Sequence, residues 1–326
     1  MIHYYAGAES NHYCRVVISC GVKGLASYYI IKNAKHPIIL EERSSGRLPG
    51  LFMDSGAFTF ARKRIDNDPD FYDSQEFHDY LDSYIAYVNE NKNVLDIVAN
   101  MDVIGNPKLT WRNQKILEKN GIKALPVVHN GSSMKWIEKY IDKGYEYMAF
   151  GGLVGRSQLD SSLDWLKRAF NQIMDKDGMP RIKVHGFGVS SPVIMTSFPW
   201  YSVDSTSWCQ QGGNGGIYVP RRRGGKYVYD VSPFTIAVST REGNSFQNHY
   251  YGLSKGSKKV VHEWFEYLGP KMIKDESDET LLELLHGNYK WRARVNIMYF
   301  EELCKAVPKW PYKWKPISPR SFGLLS

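Results

Sequence analysis

Three aspartates close short apolar runs at wide spacing along the chain. Asp54 ends Leu51-Phe52-Met53, Asp102 ends Ile97-Val98-Ala99-Asn100-Met101, and Asp204 ends Tyr201-Ser202-Val203. An acid in that position also serves as the N-cap of a following helix, so each one taken singly has a structural reading. Three at one rim point to chemistry. Two carboxylates facing a sugar carbon work as nucleophile and acid/base pair, through the covalent sugar ester that retaining glycosidases form. A third carboxylate can accept hydrogen bonds from the N–H groups of a purine. Phe58, four residues beyond Asp54, has the placement either to stack on a base or to fill core.

Glycines form a second set: Gly151-Gly152 follows Tyr147-Met148-Ala149-Phe150, and Gly186 with Gly188 follows Val184-His185. Glycine lets a backbone approach a flat ligand or an anion at a helix start, and it also makes ordinary tight turns. Neither segment fits a Walker or dinucleotide fingerprint.

These residues need a scaffold that brings distant strand ends together. Short apolar or β-branched runs at 2–6, 50–54, 94–101, 123–128, 146–150, 181–186 and 201–204 read as strands. Between them lie helical periodicities. In 74–91, Phe77, Tyr80, Leu81, Tyr84, Ile85 and Val88 share a face behind a Ser74 N-cap; in 158–174, Leu159, Leu163, Leu166, Phe170 and Ile173 do the same. Repeated β-α units over this length predict an α/β fold, a (β/α)8 barrel, whose strand ends converge on one mouth. The expected organisation is a single domain over 1–326. A basic hairpin is inserted at about 209–232, and a helical region covers about 260–326, with Asp278 capping Leu281 to Leu285 and a run from about Val295 to Cys304.

The chain has 326 residues, 43% hydrophobic and 23% charged, enough for a substantial core and incompatible with wholesale disorder. Its net charge of +8 favours a polyanionic partner without choosing among DNA, RNA and an anionic membrane. No apolar run has the roughly 18 residues that span a bilayer, and no signal sequence is visible, so the expectation is a soluble, cytoplasmic protein without a membrane partner. Cys14, Cys20, Cys209 and Cys304 form neither a CxxC pair nor a disulfide framework.

Taken in order, the segments from Asp54 to about Phe300 resemble the tRNA-guanine transglycosylase superfamily, barrel enzymes that exchange guanine for a 7-deazaguanine. Asp54-Ser55-Gly56-Ala57-Phe58 is similar to the family's Asp-Ser-Gly-Gly-Phe/Tyr, with alanine for the second glycine. The resemblance makes Asp54 the acid/base group and places Ser55 and the stacking Phe58 at the base. Asp102 falls where the family has a base-recognising aspartate, and Asn130-Gly131 (or His129) where it has Gln-Gly. Gly151-Gly152-Leu153-Val154-Gly155 resembles Gly-Gly-Leu-Ala-Val-Gly, one residue shorter, and His185-Gly186-Phe187-Gly188 resembles Met/Leu-Gly-Val-Gly; both imply backbone close to the base. Asp204 matches the aspartate that attacks the anomeric carbon. In the family, too, a glycine- and arginine-rich loop follows that aspartate.

The family's zinc site needs a Cys-x-Cys-x-x-Cys run plus a histidine. This chain lacks the cysteine run, although Leu284-Leu285-His286-Gly287-Asn288 resembles the helix that carries the histidine, so neither a metal nor any other cofactor is expected. A short, basic, zinc-less member resembles the phage-type DNA-guanine transglycosylases, which place preQ0-type 7-deazaguanines into DNA as protection against restriction. That implies a DNA partner, a location in the host cytoplasm if phage-encoded, and phosphate contacts from Arg221, Arg222, Arg223 and Lys226, for which a solvated loop is the plainer reading. Three alternatives stay open: a tRNA-modifying enzyme, a catalytically silent nucleic-acid-binding barrel or partner subunit, and a phosphate-binding barrel of small-molecule metabolism.

Overall fold

The computed structural model describes residues 1–65, 70–153, 159–240, 249–272 and 281–315. Eight parallel strands form one sheet: β1 (Ile2–Ala6), β2 (Lys23–Ser27), β3 (Leu51–Asp54), β4 (Ile97–Val98), β5 (Val127–His129), β6 (Tyr147–Gly151), β7 (Lys183–Gly186) and β8 (Ser202–Ser205). Their order is β4-β3-β2-β1-β8-β7-β6-β5. The two ends meet. Ala99 bridges Leu125 in parallel, with Leu125 N–H donating to Val98 O at 2.7 Å and Asn100 N–H to Leu125 O at 3.1 Å. Chain order around a closed ring, with helices between successive strands, is a (β/α)8 barrel.

Alternation along each strand sorts the side chains. Tyr4, Leu25, Phe52, Ala99, Leu125, Val127 and Ala149 pack together as a separate cluster inside the barrel. The opposite faces, such as Tyr5, Met53, Val128, Phe150 and Val203, join the larger core shared with the helices. The connecting helices are α1 (Asn11–Ser19), α2 (Tyr28–Ile31), α3 (Ile38–Ser44), α4 (Ala57–Ile65), α5 (Gln75–Asn91), α6 (Pro107–Lys119), α7 (Lys135–Asp142), α8 (Leu159–Ile173) and α9 (Pro192–Ser197). In α5, Ser74 accepts from Phe77 N–H, and the six side chains of the predicted apolar face are those that are buried.

The strand β2 was not visible in the apolar pattern. Lys23-Gly24-Leu25-Ala26-Ser27 has no β-branched residue, yet Gly24 suits its place: a Cβ there would sit 3.3 Å from Ile39 Cδ1. The 94–101 run supplies only two strand residues, because the chain from Asn100 to Val103 is held by side chains instead. Asn100 Nδ2 donates to Thr110 O, Asn113 Nδ2 to Met101 O and Thr110 Oγ1 to Val103 O.

After β8 come α10 (Ser207–Gly213), β9 (Gly216–Val219), β10 (Arg221–Arg223), β11 (Lys226–Val228) and β12 (Phe234–Ala237), then α11 (Lys255–Met272), α12 (Leu281–Gly287) and α13 (Tyr289–Ala306). β9 pairs antiparallel with β12, and the β10–β11 hairpin is nested between them. Its turn is Gly224-Gly225 at φ +57° and +78°, the left-handed pair that a two-residue hairpin turn demands. α13 lies against the barrel: Tyr5 Oη donates to Glu301 at 2.8 Å, and buried Arg292 donates to Gly212 O of α10 at 2.7 Å. The residue chosen as a cap for α12, Asp278, lies outside the described residues.

Candidate active site

Asp54 ends β3, Asp204 is the penultimate residue of β8, and Asp102 follows β4, so the fold gathers all three at the carboxyl-terminal mouth. Asp54 Oδ2 accepts the Gly56 N–H at 3.0 Å. Gly56 has φ +68°, and a Cβ there would lie 2.4 Å from Tyr29 Cβ, so only glycine permits this turn. Fully buried Ser55 anchors it from behind, its Oγ accepting from Ala57 N–H at 3.3 Å and its carbonyl from Tyr80 Oη at 2.7 Å.

Burial, followed by the charges of Asp102 and Asp204, pushes the Asp54 carboxyl up to about 7; the Gly56 N–H opposes this and Glu9 adds to it. Glu9 was not singled out from the sequence. It follows β1 by three residues, accepts the Ser27 N–H at 2.9 Å, and is itself raised by burial. The strand-end pattern that marked the aspartates applies to it as well, one turn further from the run.

Asp204 is held differently. Its Oδ1 accepts the Gly188 N–H at 3.1 Å and lies 3.1 Å from His185 Nε2. His185 therefore stands one layer below the mouth, buried with its ring 4.8 Å from those of Phe52 and Phe187. Gly186 is shaped by packing, since a Cβ would sit 2.7 Å from Val189 Cγ2 and 3.0 Å from Trp200 Cζ3.

Asp102 Oδ2 lies 2.7 Å from His129 Nε2. Of the two neighbours proposed for this place, the structure brings His129 to Asp102. Asn130 turns the other way, its Nδ2 donating to Ser162 Oγ of α8 at 2.9 Å. Gly151 makes room for the histidine: a Cβ would come within 3.0 Å of His129 Cδ2. Gly152 follows at φ +69° and is exposed. Val154 and Gly155 lie outside the described residues.

Phe58 is 55% exposed in the first turn of α4, with the Arg62 guanidinium 5.9 Å from its ring centroid. Ile30, in α2 after β2, and Ile104, on the loop after β4, are exposed at 60% and 46%, so the segments that follow β2, β3 and β4 each present an apolar side chain. Beside Gly188 opens a groove of about 640 Å³, lined in part by Ser190, Gln211, Tyr218 and Ser232.

The basic hairpin is exposed, yet its arginines have partners. Arg222 pairs with Glu263, Arg223 with Asp230 at 3.2 Å, and Arg221 donates to Ser232 O at 2.9 Å while covering the Phe234 ring. Lys226 is exposed on β11. His286 sits beside the Tyr251 ring. Among the described residues there is no group of three or more His, Cys, Asp or Glu side chains that could hold a metal. None of the described helices is long and apolar enough to cross a membrane.

The chain matches no protein-family model and no curated protein. Among solved structures it is similar to a protein assigned as a fructose-1,6-biphosphate aldolase from Coccidioides immitis, at 14% identity and TM-score 0.42 over 65% of this chain and 75% of that one. It is also similar to a mutant tryptophan synthase alpha-subunit from the hyperthermophile Pyrococcus furiosus, at 14% identity and TM-score 0.41 over 65% and 89%. The barrel assignment stands on this chain's own strand order and closure.

Proposed function

We propose that the protein is a DNA-guanine transglycosylase, a pentosyltransferase that exchanges guanine in DNA for a preQ0-type 7-deazaguanine. The observation that carries the reading is the unequal treatment of two carboxyls at one rim. Asp54 is raised to about 7, where it can hold a proton to give, while Asp204 receives the Gly188 N–H and faces His185, as a carboxylate nucleophile requires. The motif order from Asp54 to Asp204 supplies the choice of base.

In the proposed sequence, the target nucleotide is rotated out of the stack so that its sugar reaches the mouth. The exposed Ile30, Phe58 and Ile104 are suited to cover bases left unstacked there. An Asp204 oxygen attacks C1′, the C1′–N9 bond breaks with its electron pair leaving on guanine, and Asp54 delivers the proton guanine needs. The incoming base then gives its N9 proton to Asp54, its nitrogen attacks C1′, and the ester bond breaks to return the Asp204 carboxylate. Two inversions retain the configuration. Asp102, oriented by His129, is placed to accept N–H groups of the bound base. All protons are accounted for between Asp54 and the two bases.

The test is incubation with labelled guanine or preQ0 and, separately, duplex DNA and unmodified tRNA. Label entering DNA supports the reading. Label entering tRNA alone keeps the chemistry and overturns the choice of polymer, and label in neither overturns the activity.

A further inference from the structure

Below Asp204, inward-facing side chains of three strands make a continuous hydrogen-bonded line up the barrel axis. Tyr147 Oη on β6 is bonded to Ser202 Oγ on β8, Ser202 Oγ lies 2.6 Å from His185 Nδ1 on β7, and His185 Nε2 lies 3.1 Å from Asp204 Oδ1. Strand register produces the line: His185 is paired with Ser202, and Ala149, two residues beyond Tyr147 on the same inward face, with His185. None of this was visible as a motif, because Tyr147, His185 and Ser202 are separated by 38 and 17 positions.

Proton count orders the line. Asp204 Oδ1 already accepts the Gly188 N–H, so it is an acceptor oxygen, and His185 satisfies it only by donating from Nε2. A neutral imidazole that donates from Nε2 must accept at Nδ1, so Ser202 donates there. Ser202 has one proton to give, so its remaining position is filled by the Tyr147 hydroxyl donating to Ser202 Oγ. Burial keeps that phenol protonated, well above its ordinary range. The rings of Tyr4, Phe52 and Phe187 surround the imidazole. Among the described residues no hydrogen bond is made to Asp204 Oδ2, while Oδ1 holds two.

We propose that Tyr147, Ser202 and His185 are positioning residues that lock His185 in its Nε2–H tautomer, fix Asp204 through Oδ1 and reserve Oδ2 as the attacking oxygen. The inference rests on the reading of Asp204 as nucleophile. Its effect falls on the chemical step, because the line touches neither base nor polymer.

The test pairs a readout that needs no substrate with one that does. In protein labelled with nitrogen-15 at histidine, with His185 assigned by its loss in His185→Gln, the imidazole of the wild-type protein should be neutral and carry its proton on Nε2. Ser202→Ala should give a mixed tautomer. It should also lower kcat for base exchange by about two- to tenfold, the scale of a lost hydrogen bond between neutral groups, with KM for the free base unchanged. Tyr147→Phe should lower kcat less, with the same KM. An Nδ1–H or cationic His185 in the wild-type protein overturns the proposal, as does an unaltered kcat in Ser202→Ala. The failures are separable: a correct tautomer in a protein that transfers no base removes the transglycosylase reading, whereas active exchange with the wrong tautomer removes only the line.

Discussion

Replacing Asp54 by asparagine should stabilise the protein at pH 8 and leave its stability nearly unchanged at pH 4, while stopping base exchange at both. Asparagine keeps an oxygen to accept the Gly56 N–H and cannot ionise. In the folded chain the Asp54 pKa stands at about 7 against an ordinary 3.8. The folded state therefore binds this proton more tightly than the unfolded state does. Between about pH 4 and 7 it holds more protons than the unfolded chain, so stability falls as pH rises, and the whole cost is present above 7. Three or so pKa units at about 1.36 kcal/mol each set that cost at no more than about 4 kcal/mol. The charges that act on Asp54 are those of the acids Asp102, Asp204 and Glu9, and its neighbours Tyr80 and Tyr84 are phenols. With an unfolding entropy of roughly 2.1 cal/mol/K per residue over the chain, 4 kcal/mol corresponds to about 6 °C in Tm as an upper limit. Calorimetry of both proteins at pH 4 and pH 8 measures the difference. An equal Tm increment at the two pH values would falsify the elevated pKa and, with it, the assignment of Asp54 as the acid.

Removing the charge of Asp102 by Asp102→Asn should bring the Asp54 pKa down, moving the alkaline limb of the pH profile of kcat to lower pH; an unmoved limb would show that the two carboxyls do not interact. Gly56→Ala should cost about 1 to 3 kcal/mol for the left-handed backbone alone, and more through Tyr29, seen as a lower Tm together with lost exchange. A variant as stable as the parent would disprove the steric reading of that turn. Replacing Arg221, Arg222, Arg223 and Lys226 together with glutamine should reduce the slope of log K against log salt by roughly 0.9 for each phosphate these side chains neutralise. An identical slope would move the polymer's footprint to another face, such as the Lys32 and Arg62 side of the mouth.

Legibility in the sequence followed what each signal depends on. Asp54, Asp102 and Asp204 could be read because a barrel turns the position "end of an apolar run" into the position "rim of the mouth". Helix α5 could be read because its six buried residues keep a 3.6-residue period. Strand β2 could not, since its stability comes from two neighbouring strands rather than from its own composition. The choice between His129 and Asn130 depended on which residue of an alternating strand faces inward, and a shift of one position reverses it. The arginines of the hairpin showed their charge in the sequence and concealed their partners, because Glu263 and Asp230 reach them only in the folded chain. The Tyr147–Ser202–His185 line is a product of register across three strands, which no local pattern records.

The most direct test of base exchange through Asp204 is mass spectrometry of the protein quenched in denaturant during reaction with a guanine-containing DNA duplex. The expected species is protein plus oligonucleotide less one guanine, with the linkage mapped to Asp204 and absent from Asp204→Asn. Exchange of labelled base into the DNA with no such adduct, or with the adduct undiminished in Asp204→Asn, would contradict the mechanism.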